Sequence, residues 1–97
     1  MEITKAEFLR GVRKGWENMG YCRLTCFAKD GLPQIRRDGA TECCAIGAYS
    51  IATGAAPREI EMSFLRSGGD LVEVMLKSER AGSKEAALEA IEKMEEW

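Results

Sequence analysis

Apolar residues recur along the chain with two different spacings, and these divide it into elements. Phe8, Leu9, Val12, Trp16 and Met19 fall at steps of three and four, one stripe of an amphipathic helix. Thr4 with Glu7 three residues on has the form of a capping box, so the helix starts there, and Gly20 is the expected stop. Gly11 and Gly15 are poor helix formers at about 1 kcal/mol each relative to Ala. Their presence on the helix predicts close approach of another backbone. From 21 to 40 the helical period is lost. Tyr21, Arg23, Thr25 and Phe27 alternate with Cys22, Leu24, Cys26 and Ala28, and Asp30-Gly31 is a turn signal. A short β-ribbon pairing 22–28 with 34–37 is expected, an ordered loop being the alternative.

Helical spacing returns at Thr41 and runs to Thr53, with Thr41 as cap and Gly54 as stop. This segment is small and apolar on nearly every side, which predicts a central helix packed all round, with Cys44, Ile46, Gly47, Ala48 and Ile51 in the densest core. Pro57 opens a helix over 57–67 carrying Ile60, Phe64 and Leu65. Gly68-Gly69 breaks it, and Asp70 caps a short helix carrying Leu71, Val74 and Met75. Residues 78–82 read as a polar connector. Ser83 caps a last helix with Ala87, Leu88, Ile91 and Met94 inward. The expected fold is mainly α, with α+β as the alternative: one domain over 1–97, a bundle of four to five short helices around the small-residue helix 41–53, with the ribbon near 22–37.

The 97 residues suit a single domain with one modest core. No stretch approaches the about 18 apolar residues of a membrane span. The amphipathic start at Met1-Glu2-Ile3-Thr4-Lys5 lacks the apolar centre of an export signal. The expected compartment is the cytoplasm, with thiols reduced. Charge is lopsided. Residues 1–58 hold nine basic and six acidic side chains, residues 59–97 five and ten. The acids of the last helix, Glu85, Glu89, Glu92, Glu95 and Glu96, read as a solvated face.

Chemistry is sparse. With no histidine, Ser-His-Asp triads, Cys-His dyads and His-containing zinc sites are excluded. No glycine pattern matches a phosphate-binding loop or a dinucleotide fingerprint. Cys22, Cys26, Cys43 and Cys44 form the one set of metal-ligand type, but their spacing is not that of paired zinc knuckles. Buried thiols acting as small hydrophobes are the plainer reading, with a redox role or a thiol activated by Lys29 as lesser ones. No enzyme activity and no cofactor are expected. Arg10, Arg13 and Lys14 with Arg23, Lys29, Arg36 and Arg37 would give a basic surface on which Tyr21 and Phe27 could stack bases, though the net charge of −2 argues against a dedicated phosphate binder. Met62, Met75, Met94 and Trp97 are candidates for a protein interface.

The residues Ala6, Phe8-Leu9, Gly15-Trp16, Asp30-Gly31, Ala40 and Cys44-Ala45-Ile46-Gly47-Ala48 resemble a family of small proteins of bacteria and their phages known only as a domain of unknown function. The resemblance covers roughly residues 5–54. Further on, Ser78-Glu79-Arg80 stands where that family has Asn-Asp. It implies a compact, largely helical fold and a phage or mobile-element origin, and it implies no activity. Its Cys-x-x-Gly-Ala segment has no second cysteine, which weighs against zinc. Packing of Trp16 over Gly47 and Ala48 is the physical reading of the motif. The function expected is a non-enzymatic interaction module that binds and modulates or inhibits a host protein, such as a defence component, in the bacterial host cytoplasm. Arg23, Lys29, Arg36, Arg37 and Trp97 are its expected contacts, and a homodimer is a further option. The alternative is a nucleic-acid binder, stabilised by zinc on Cys22, Cys26, Cys43 and Cys44 or acting through its basic surface.

Overall fold

The computed structural model describes residues 3–23 and 25–97. Five helices run in chain order: α1 Lys5–Gly15, α2 Ala45–Thr53, α3 Pro57–Ser67, α4 Leu71–Ala81 and α5 Lys84–Glu92. Four very short strands, β1 Gly20–Tyr21, β2 Phe27–Lys29, β3 Leu32–Gln34 and β4 Glu42–Cys43, form one sheet in the order β1-β4-β2-β3. The fold is mainly α with a small sheet, as the spacing predicts. The caps are those expected: Thr4 Oγ1 accepts from Glu7 N at 3.2 Å, Asp70 Oδ1 from Glu73 N at 3.0 Å, and Ser83 Oγ from Ala86 N at 3.1 Å.

The central helix begins four residues later than expected. Thr41 does not cap a helix, and Glu42–Cys43 is a strand, parallel to β1 and antiparallel to β2. The reason lies in the Asp30-Gly31 turn. Both residues have positive φ, 50° and 84°, the geometry of a two-residue type I′ hairpin. That turn exposes two N–H groups, and the Thr41–Glu42 side chains take both. Thr41 Oγ1 accepts from Asp30 N at 2.9 Å and Glu42 Oε1 from Gly31 N at 2.7 Å. The same tight turn sets the ribbon register to Lys29↔Leu32 and Phe27↔Gln34, shorter than the 22–28 with 34–37 pairing expected.

Two other boundaries differ. α1 ends at Gly15 with Trp16 as its cap, and Gly20 opens β1 instead of stopping the helix. α4 continues through Ser78 to Ala81, so the supposed connector is mostly helix. Ser78 is polar yet buried, because its Oγ accepts from Ala45 N at 3.4 Å and its carbonyl accepts from the Tyr21 hydroxyl.

The buried side chains form one cluster that includes Phe8, Val12, Trp16, Phe27, Ile46, Ile60, Phe64, Val74 and Ile91. The helix α2 sits inside it in a narrow slot. On one side, a methyl on Gly15 would overlap the Ala48 carbonyl oxygen; on the other, a methyl on Gly47 would overlap the Cys26 carbonyl oxygen. Gly47 thus admits a loop carbonyl, not a covering tryptophan. The Trp16 indole N–H donates to the Cys43 carbonyl at 3.0 Å.

α1 and α5 lie antiparallel and cap each other. Lys5, at the start of α1, donates to the carbonyls of Glu92 at 2.9 Å and Met94 at 2.8 Å at the end of α5, and pairs with Glu96 at 2.9 Å. Lys84, at the start of α5, donates to the carbonyls of Trp16 at 3.0 Å and Met19 at 2.9 Å just past α1. Each ammonium thus sits at the negative end of the neighbouring helix.

The slot makes a graded prediction. Gly15→Ala should destabilise by about 3 kcal/mol, because its methyl meets backbone that cannot move away. Gly11→Ala meets only the edge of the Tyr49 ring, which can shift, and should cost about 1 kcal/mol. Denaturant midpoints of the two variants check the order, and equal midpoints would contradict the slot.

Candidate functional site

The site is a cavity of about 100 Å³ between the loop before β2, the start of α2, and the facing sides of α3 and α4. Cys26, Cys44, Ala45, Ile46, Glu61, Val74, Met75 and Glu79 are among its lining residues. The antiparallel register of β2 and β4 places Cys26 opposite Cys44, one step beyond Phe27↔Cys43. The Cys44 N–H donates to the Cys26 carbonyl at 3.1 Å, which closes that step. Residues opposite one another on antiparallel strands carry their side chains on one face, with Cβ atoms about 4.5–5.5 Å apart.

Cys43 and Cys44 have different surroundings because they stand in extended backbone, where successive side chains point to opposite faces. Cys43 is fully buried in the core and Cys44 is half-buried at the cavity. The expectation that Cys44 belongs to the densest core is therefore corrected: Cys43 takes that place, and Ile51 is only partly buried. The same alternation undoes the four-thiol zinc set of Cys22, Cys26, Cys43 and Cys44. Among the described residues no group of three or more His, Cys, Asp or Glu side chains is placed to hold a metal ion.

The four thiols, all free, differ in acidity. Cys44 is lowered from its ordinary 9.0 to about 7. The largest cause is the hydrogen bond donated by the Cys26 thiol, opposed by burial; the N–H groups of Gly47 and Ile46, at the start of α2, add to the lowering. Cys26 is raised by that same hydrogen bond, then by burial and by the charge of Cys44. Burial pushes Cys22 up to about 11, with Cys44 and Glu42 adding to it, and burial pushes Cys43 up to about 12. The pairing of Cys22 or Cys26 with Lys29 is not what the structure shows; Cys44 is the partner. The sequence signal that could have found it is the Cys-x-x-Gly segment at 44–47, with Cys44 capping a helix and Gly47 admitting the Cys26 carbonyl.

Several large apolar side chains are exposed on the elements that form this cavity and near them. Thr25 and Cys26 also line a shallower groove with Pro33, Ile35 and Pro57. Ile35 is 96% exposed, Leu65 68% and Val72 66%, with Met75 and Leu76 also exposed. By helical spacing, Leu65 lies one turn from Glu61 on α3, and Val72 lies one turn from both Met75 and Leu76 on α4. Of these, only Met75 was a candidate from sequence. Leu65, Val72 and Leu76 have the hydrophobicity of core positions on their helices, and Ile35 stands alone among polar residues.

The sequence candidates are dispersed. Trp97 packs its ring against Phe8 and Phe64 at centroid distances of 6.4 and 5.4 Å, and its indole N–H donates to the Ile3 carbonyl at 2.9 Å. Its ring is thus committed to the core, as is Met94. Phe27 is buried and cannot stack on a base, and the Tyr21 hydroxyl is held by the Ser78 carbonyl. Arg36 and Arg37 line a groove that also contains Asp38 and Glu59, with Arg37 Nη1 at 3.5 Å from Ser50 Oγ. Arg23 and Lys29 are exposed. Arg13 on α1 pairs with Glu92 on α5 at 3.3 Å, so the basic side of α1 meets the acidic side of α5. Among the described residues, no helix is long and apolar enough to cross a membrane.

Fold and site together define a small, mainly α domain with a cavity lined by Cys26 and Cys44. No family model matches the chain, and comparison with curated proteins and with solved structures gives no match. The resemblance over residues 5–54 rests on the residues quoted for it.

The thiol acidities predict a selective labelling profile. Iodoacetamide should modify Cys44 with a midpoint near pH 7, while Cys22, Cys26 and Cys43 stay unreactive until well above neutrality. Labelling of Cys22 ahead of Cys44 at pH 7 would contradict the assignment. Stability should follow. The folded pKa of Cys44 lies below the unfolded one, so its contribution is full above the unfolded value and fades as pH falls through about 7. Cys44→Ser should therefore flatten the rise in melting temperature between about pH 7 and pH 9.

Proposed function

We propose that the protein is a small interaction module that binds a host protein through the apolar face running from Ile35, past Thr25 and Cys26, to Met75, Val72, Leu76 and Leu65. The observation that carries this reading is the exposure of these large apolar side chains, with Met75 in the cavity wall and Ile35 in the groove that shares Thr25 and Cys26 with it. Contiguous apolar surface of this kind marks interaction sites. Glu61 and Glu79 lie among the apolar residues of the cavity and no basic side chain lines it. The complementary partner is a segment that presents apolar side chains flanked by Lys or Arg. A host-directed role in a phage or mobile-element setting belongs to the same proposal, through the resemblance of residues 5–54. Modulation or inhibition of the host protein would follow from occupying such a segment.

A photo-crosslinking residue placed at Val72 in the full chain, incubated in bacterial lysate, tests this. The expected outcome is a single major adduct whose linked peptide is apolar with basic flanks. Ile35→Glu with Leu65→Glu should reduce that adduct at least tenfold while leaving the circular dichroism melt unchanged, since both side chains are exposed. Adducts only with copies of the chain itself, adducts lost on nuclease treatment, or equal yield from the double variant would each overturn the reading.

A further inference from the structure

A second function lies in the same cavity and does not depend on the apolar residues having a partner. We infer that Cys44 and Cys26 form a reversible dithiol–disulfide pair, in which Cys44 reacts with a small uncharged hydroperoxide entering the cavity and Cys26 resolves the product.

The geometry comes first. The two cysteines occupy opposite positions where β2 and β4 converge, joined by the 3.1 Å hydrogen bond from Cys44 N to the Cys26 carbonyl. Opposite residues on antiparallel strands have Cα atoms about 4.5–5.5 Å apart, inside the range a disulfide spans. Both side chains line one cavity. Cys43, the sequence neighbour, is buried in the core and takes no part. The Cys26 carbonyl is seated on Gly47, which holds the loop against the start of α2.

The lining then selects the reagent. Ala45, Ile46, Val74 and Met75 give apolar walls to a small cavity. The charged side chains facing the thiols are Glu61 from α3 and Glu79 from α4, both negative. An anionic oxidant such as glutathione disulfide is disfavoured by that charge, whereas a neutral hydroperoxide is not.

The step balances. The Cys44 thiolate sulfur attacks one peroxide oxygen, forming an S–O bond and breaking the O–O bond. The departing oxygen takes a proton from solvent and leaves as water or an alcohol. Cys44 becomes a sulfenic acid, oxidised by two electrons, and the peroxide is reduced by two. The Cys26 sulfur then attacks the Cys44 sulfur, the S–O bond breaks, and hydroxide leaves as water with the Cys26 proton. Two thiols and one hydroperoxide give one disulfide, one alcohol or water, and one water. An external dithiol restores the pair by exchange.

The test uses the reduced full chain with hydrogen peroxide and, separately, with glutathione disulfide. Oxidation should remove about 2 Da from the intact mass and be reversed by dithiothreitol. Trypsin cuts between Cys22 and Cys26, so the bridge should link peptide 24–29 to peptide 38–58, with fragmentation placing it on Cys44. At pH 7 peroxide should react about fivefold faster than with free cysteine, after allowing for the weaker nucleophilicity of a more acidic thiol. Cys26→Ser should stop at a sulfenic acid trapped by dimedone. A bridge from Cys22 or Cys43, a bridge between two chains, faster reaction with glutathione disulfide than with peroxide, or a rate no higher than that of free cysteine would each overturn the proposal. The bridge mapping uses the unaltered protein, so a variant that fails to fold leaves the test intact.

Discussion

The first turn of α2 has no room for a methyl group on either side, and the rest of the structure is arranged around that fact. Gly15 of α1 meets the Ala48 carbonyl and Gly47 of α2 meets the Cys26 carbonyl. A helix held this closely must have its preceding residues in a fixed place. The Trp16 indole fixes them by donating to the Cys43 carbonyl, which also accepts from Cys22 N at 3.1 Å. β4 then has one available position, between β1 and β2, and Cys44 arrives at the helix start facing Cys26. The candidate site is a consequence of the packing and required no separate set of elements.

The periphery is closed by charge where the centre is closed by shape. Lys5 is buried and would be costly there if unpaired, yet two carbonyls and the Glu96 carboxylate surround it. Lys84 performs the matching task at the other end of the α1–α5 pair. Trp97 adds an apolar seal over Phe8 and Phe64, and Ser67 of α3 accepts from Ile3 N at 2.8 Å. Both ends of the described chain are thus tied to the same region. The acidic composition of the last helix is only in part a solvated face, since Glu92 and Glu96 reach across to α1.

Where a single local rule governs an element, the sequence is enough to read it. Thr4, Asp70 and Ser83 cap helices because a side-chain oxygen needs only an N–H three residues away. Asp30-Gly31 makes the hairpin because it supplies two positive φ angles. Pro57 starts α3 for an equally local reason. What escaped depends on distant partners. A two-residue strand has no periodicity to detect, and Thr41 looks like a cap until Asp30 N is seen beside it. Lys5 looks like surface until the end of α5 is in place. The exposed apolar residues escaped for the opposite reason: Leu65, Val72 and Leu76 carry the hydrophobicity of core positions, and only the packing shows that nothing covers them.

Cys43 and Cys44 show how small the difference between inert and reactive can be. They are the same residue type, one backbone step apart. Had the helix begun at Thr41, as its composition suggests, both would lie on helical turns with Cys26 on neither side of a ladder. The strand at 42–43 makes the side chains alternate. It sends one sulfur into a core that resists ionisation and the other to a helix start where two N–H groups and a thiol donor favour it. The strand exists because Thr41 and Glu42 satisfy the Asp30-Gly31 turn. The acidity of Cys44 therefore traces back to a hairpin more than ten residues away in the chain, through contacts in which no cysteine takes part.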